Sequence, residues 1–250
     1  MKPETFNAEQ DSLISRMIST PAPDGRWPDG CYGCRLAWLT FVGPSPGGGD
    51  GKNAEVPRQE QVYAPLWNEE YTEPCSAWSI GFRMSTQVLV ETVMGRKREQ
   101  GALKLYNFAN FDWMQNPNAC NVPTDRMRRG RMAVLNHLAE VQPRVIIPME
   151  SKAHQLLSEL LRQTYELHPL HFVQVEILIG GTRHGQRFHR HMDAYHLSGI
   201  GPLAGRYVIR CPQHPARIFN AEYAGRVGRA LRVTLCAMAD KQETVSIKEV

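Results

Sequence analysis

No run of about 18 consecutive apolar residues occurs in the 250-residue chain, so a membrane-spanning helix is not expected. The first residues, Met1 to Asn7, lack the apolar segment of a secretory signal. Export is therefore not expected, and a cytoplasmic location is. Close cysteine pairs are scarce: only Cys31 and Cys34 stand near each other, while Cys75, Cys120, Cys211 and Cys236 are scattered. That pattern argues against a disulfide framework and for reduced thiols. The chain also lacks the Lys-Ser/Thr of a phosphate-binding P-loop, a complete GxGxxG, and any internal repeat. Neither sign of charge dominates: 29 Lys and Arg face 25 Asp and Glu, for a net charge of +4. A mildly basic chain suits a polyanionic partner without requiring one.

What is present is enough for one large domain. Apolar residues make up 42% of the chain, sufficient for a substantial core. The reading is a single domain over residues 1–250, with 1–30 as an N-terminal extension and 240–250 as a tail. Residues 8–18 form a short amphipathic helix. Residues 35–42 are almost continuously apolar, as expected of a strand covered on both faces. Further strands are expected over 103–111, 144–149, 172–179 and 206–211. Helices are expected over 80–94, 125–141, 151–165 (with Ser151 as its cap) and 220–239. Strands alternating with helices imply an α/β fold, three layers deep, with a central, mostly parallel sheet between two helical layers.

Two turns stand out. The apolar run 35–42 enters a loop of Gly43, Pro44, Ser45, Pro46 and three glycines, Gly47 to Gly49. An apolar run ending in such a loop is how a parallel strand delivers backbone to a pocket at its carboxyl end. Much later, the strand near 206–210 runs into His214-Pro215-Ala216-Arg217. One strand end offers shape and amide donors; the other offers a titratable ring.

Together the two turns resemble the active-site motifs of the uracil-DNA glycosylase superfamily: a Gly-x-x-Pro loop after the first core strand, and a His-Pro-Ser or His-Pro-Ala turn near the C-terminus. Three further segments follow in the family's order. Residues 105–111, followed by Asn116-Pro117, resemble the strand that carries the family's base-reading asparagine. Residues 123–141 resemble the helix after it. Residues 142–149, followed by 151–157, resemble the next strand and helix. The similarity spans roughly residues 35–235. One departure is plain: the family usually has Asp, Asn or Glu one or two places after the loop glycine, where this chain has Pro44 and Ser45. Some branches carry a four-cysteine cluster, but Cys34 lies only nine residues before Gly43 and no second pair exists. No cofactor and no metal are therefore expected.

The resemblance implies a glycosylase-like fold and a monomeric enzyme acting on DNA, with no membrane partner. It would cleave the N-glycosidic bond of a pyrimidine turned out of the helical stack. His214 would donate a hydrogen bond to the departing base, with Asp50 or Ser45 left to position water. Gly43, Pro44 and Gly47 would shape the pocket. Asn110, or failing that Asn107, would read the base edge, since an amide offers both donor and acceptor. Tyr63 or Trp67 would stack on the base, with core packing the competing reading for each. Arg217 and Ile218 lie where the family inserts a wedge into the duplex. In the uracil-restricted branch a bulky aromatic follows the loop proline; here Gly47 leaves that space open to a 5-substituted pyrimidine.

Residues 183–196 contain four histidines and three arginines. The arginines would repel a cation, and basic residues among aromatics suit phosphate and single-strand contacts, with Arg187 and Arg190 foremost. An ordinary solvated loop is the competing reading. Two other function classes compete with the enzyme: a binding module on this fold without catalysis, and a nucleotide hydrolase using 43–49 as a phosphate loop.

Overall fold

The computed structural model describes residues 3–19, 32–33, 36–45, 77–102, 105–112, 122–178, 187–211 and 221–240. In chain order these form α1 (Pro3–Ser19), β1 (Tyr32–Gly33), β2 (Leu39–Gly43), α2 (Ala77–Met94), β3 (Tyr106–Asn110), α3 (Thr124–Arg129) and α4 (Arg131–Val141). They are followed by β4 (Val145–Pro148), α5 (Ser151–Leu161), β5 (Glu166–Leu178), β6 (Arg187–Ser198), β7 (Tyr207–Ile209) and α6 (Ala221–Asp240). The seven strands form one sheet in the order β1-β3-β2-β4-β7-β6-β5. Its centre, β3-β2-β4-β7, is parallel throughout. Strands β1, β6 and β5 flank that centre in antiparallel pairing.

Strand parity explains the layers. Leu39 and Phe41 of β2, Tyr106 and Phe108 of β3, and Val145 and Ile147 of β4 turn to one face, against Phe6 and Leu13 of α1, Val93 of α2 and Val227 of α6. Val42, Ile146 and Val208 turn to the other, against Met127 of α3, Leu138 of α4 and Leu157 of α5. Both faces of the central strands are thus dry, which is why their sequences are nearly continuous in apolar residues. This is the expected α/β architecture, with helices on both sides of the sheet.

Three local expectations are revised. The helix expected over 125–141 is broken into α3 and α4 at Gly130, because the chain must pass Phe111 there. A β-carbon on Gly130 would overlap the carbonyl oxygen of Phe111. Helix α5 stops at Leu161, and Glu150, not Ser151, occupies its N-cap position. Within residues 183–196, for which a solvated loop is the competing reading, the chain from Arg187 is instead a strand, running to Ser198 and paired with β5 along its length and with β7 over residues 194–196. No helix among the described residues is long and apolar enough to cross a membrane.

His137 sits in the interior on α4, 1% exposed, and burial lowers its pKa from 6.5 to about 4. The folded chain therefore holds this ring neutral where the unfolded chain would protonate it. Above pH 6.5 the effect vanishes; as pH falls from 6.5 toward 4, the unfolded state binds the extra proton and stability drops. The shift corresponds to about 3 kcal/mol in full. Denaturant unfolding of His137→Leu across this range should show a flatter acid limb than the wild type. An unchanged slope would mean that other groups govern acid stability.

Candidate functional site at the carboxyl edge of the parallel strands

Counted along the chain, the parallel strands β2, β3, β4 and β7 are first, second, third and fourth, and they lie side by side as second-first-third-fourth. The strand after β2 lies on one side of it, and the strand after that on the other. At such a reversal the loops leaving the two adjacent strands part toward opposite layers and open a crevice at their carboxyl ends. Here α2 follows β2 into one layer, and α5 follows β4 into the other.

The sequence places unusual residues along that edge. Asn110 ends β3, Gly43 ends β2, Met149 follows β4 and Cys211 follows β7 shortly beyond its last residue. By parity all four belong to the face of α1, α2 and α6, and Asn110, Met149 and Cys211 are at most 3% exposed. The ladder continues past the strands: Phe111 N donates to Gly43 O (3.0 Å), Asp112 N to Pro44 O (2.9 Å), Met149 N to Val42 O (2.9 Å) and Cys211 N to Pro148 O (3.0 Å).

Gly43 is the centre of this arrangement. A β-carbon there would lie 2.6 Å from Met149 Cε and 2.7 Å from Asn110 Oδ1. The absence of a side chain is what lets the Asn110 amide and the Met149 methyl converge over the end of β2. Ser45, two residues on, is 6% exposed, and its Oγ has no hydrogen-bond partner among the described residues. A buried hydroxyl left so is costly unless something else meets it.

Asn107 takes a different part. It is fully buried within β3, on the opposite face from Asn110, and its Oδ1 accepts a 2.6 Å hydrogen bond from Thr40 Oγ1 of the neighbouring strand. This amide stitches the sheet together, and Asn110 is the one that stands at the edge.

Two charged clamps hold the edge in place. Arg126 Nη2 of α3 pairs with Asp112 Oδ2 at 2.6 Å, tying the segment after Asn110 to the helical layer. At the other end, Arg210 Nη1 meets Asp193 Oδ2 at 3.1 Å, and its Nη2 donates to Ser151 Oγ at 2.6 Å. Arg210 N also donates to Asp193 O at 2.8 Å. The root of the segment that carries His214 is therefore bound to β6 and to the start of α5. Beside it, His154 stacks on Tyr195 with centroids 5.9 Å apart. Burial lowers the His154 pKa, against the opposing pull of Asp193, so this ring is neutral at neutral pH.

Of the residues singled out from sequence, Gly43, Pro44, Ser45 and Asn110 lie together at this edge. Arg187 and Arg190 belong to β6. Gly47, Asp50, Tyr63, Trp67, His214, Arg217 and Ile218 lie outside the described residues. Sequence reading missed Met149, Arg210 and Asp193. Arg210 had one signal, a charge ending an apolar strand just before the His-Pro turn; Met149 had none, because its role depends on Gly43. Among the described residues, no group of three or more His, Cys, Asp or Glu is placed to hold a metal ion.

No family model matches the sequence, and no curated protein matches it. Fold and edge geometry define the class on their own: an α/β protein with its candidate site at the switch point of the sheet.

Proposed function

We propose that the protein is a DNA glycosylase that hydrolyses the N-glycosidic bond of an altered pyrimidine turned out of the DNA, leaving an abasic site. One observation carries this reading. The loop after β2 and the segment after β7 leave the same edge of one sheet with only β4 between them, about 10 Å apart by strand spacing. That separation suits a single nucleotide held between the Gly43–Ser45 loop and the His214 turn.

In this mechanism the bond between the sugar C1′ and the base nitrogen breaks, and its electrons leave with the base. Water adds through oxygen to C1′ and loses a proton, and the base takes up a proton. The protein must stabilise negative charge on the departing base and exclude bulk water. His214 donates a hydrogen bond to the base oxygen as that charge develops; a neutral imidazole in a dry pocket suffices. Asn110, held over Gly43, meets the donor and acceptor groups of the base edge. Ser45 or Asp50 positions the water. No metal or cofactor enters the reaction.

Gly47 leaves room beside the pyrimidine 5-position, so the favoured substrate is a 5-substituted or hypermodified base such as occurs in phage DNA, with plain uracil included. The role is then repair or defence against foreign DNA. Oligonucleotides carrying uracil, 5-hydroxymethylcytosine or glucosylated cytosine, treated with alkali after incubation, report abasic sites as strand breaks. Breaks at the modified cytosines are the expected result. Activity confined to uracil would remove the open-pocket argument. Tight binding with no abasic product would favour a non-catalytic nucleic-acid-binding module, the reading suggested by Pro44 and Ser45 standing where the resembled family carries an acid.

A further inference from the structure

Strands β5 and β6 are much longer than the sheet they join. β6 pairs with β7 only over Ala194, Tyr195 and His196, whereas it pairs with β5 from Ser198 out to Arg187. Ala194 lies opposite Ile209, the last residue of β7. Because β6 runs antiparallel to β7, everything from residue 193 back to 187 continues beyond the carboxyl ends of the parallel strands. Six residues of strand span about 20 Å. The result is a two-stranded ribbon that overhangs the sheet on the very edge where Gly43 and Asn110 lie.

The register sorts this ribbon's residues by face. Val173 pairs with Met192, Val175 with Arg190 and Ile177 with Phe188, so these positions share one face, apolar apart from Arg190. Positions 174, 176, 178, 187, 189 and 191 share the other, polar apart from Leu178. Over residues 171–192 the sequence has three arginines and one acid, Glu176. A strongly apolar ribbon would be expected to pack inward, and a balanced one to sit in solvent. This one has net positive charge and an amphipathic pattern, and it projects from the sheet.

We infer that the β5–β6 ribbon is a DNA-docking arm that lies in the major groove of a duplex beside the nucleotide held at the sheet edge. The inference rests on DNA being the partner, as proposed above. A two-stranded ribbon fits the major groove of B-form DNA, roughly 12 Å wide. Arg187 and Arg190 occupy opposite faces of the ribbon, so they suit the phosphates bordering the groove on its two sides rather than one base. Contacts of that kind position the duplex and supply salt-dependent affinity, and sequence is left largely unread. The deep, narrow major groove of duplex RNA would not admit the arm.

The test is binding of full-length protein to an unmodified duplex of about three helical turns over a series of salt concentrations. Two variants are compared with the wild type: R187A/R190A, and a chain in which residues 172–192 are replaced by a short Gly-Asn turn. Both should bind duplex DNA at least about ten-fold more weakly, and R187A/R190A should lower the slope of log affinity against log salt by about 2. Wild-type affinity and slope in R187A/R190A would overturn the arm, whether or not the shortened chain folds. Equal affinity of the wild type for duplex RNA would also overturn it. Should the wild type bind duplex through these arginines yet release no base, the arm stands and the glycosylase reading falls. Base release with arm-independent binding does the reverse: the glycosylase stands and the arm falls.

Discussion

Replacing His214 with alanine should lower single-turnover base release by roughly 10²- to 10³-fold, the usual cost of removing one donor aimed at developing charge. Asp50→Ala should cost less. The ordering follows from what the first loop lacks. With Pro44 and Ser45 in place of an acid, the loop holds no carboxylate or amide for water at those places. The reaction must then lean on stabilising the departing base. Single-turnover rates are the right measurement, because they exclude slow release of the abasic product. If Asp50→Ala were the more damaging change, the chemistry would belong to the acid, and His214 would be a turn residue. The guanidinium of Arg210, four residues before His214, binds both Asp193 and Ser151 and so anchors the chain just past β7.

Gly130→Ala should destabilise the fold by about 3 kcal/mol or more, since over-packing against rigid backbone leaves nothing able to yield cheaply. A loss of that size lowers the Tm of a chain this long by on the order of 10 °C. The backbone at Gly130, with φ of −83° and ψ of 0°, is open to any residue. The obstacle is the Phe111 carbonyl oxygen, which the added methyl would overlap. Relief requires either that α3 and α4 move away or that the segment after Asn110 shift. The second route disturbs the site, because Phe111 N is bonded to Gly43 O and Asp112 is paired with Arg126. Thermal unfolding together with base release therefore distinguishes the two: a lower Tm with intact activity means the helices moved. A Tm within a degree or two of wild type would show that the junction does not touch Phe111.

Much of the element pattern was readable without coordinates. The cores of β2, β4 and α4 follow from apolar periodicity, and their ends from local residues such as Gly43 and the Gln142-Pro143 pair. These features are local, set by which side chains a strand or helix can bury. β6 was not readable, since His, Arg and Asp interrupt its apolar positions and it depends on hydrogen bonds to β5 and β7. Asn107 and Asn110 illustrate the same limit. Both lie in one short strand, and parity separates them, but only Thr40 across the sheet shows that the first amide is already engaged.

The chain's own order of residues determined that strands and helices alternate, that the central strands are buried on both faces, and that a glycine-rich sequence follows the first of them. Strand order, the antiparallel flanks and the overhanging ribbon came only with the assembled sheet. So did the meeting of Gly43, Asn110 and Met149, residues far apart in the chain. The division has a physical cause: periodicity reports the burial of each residue's own surroundings. Which strand lies beside which depends on hydrogen bonds and packing between segments that share no local signal.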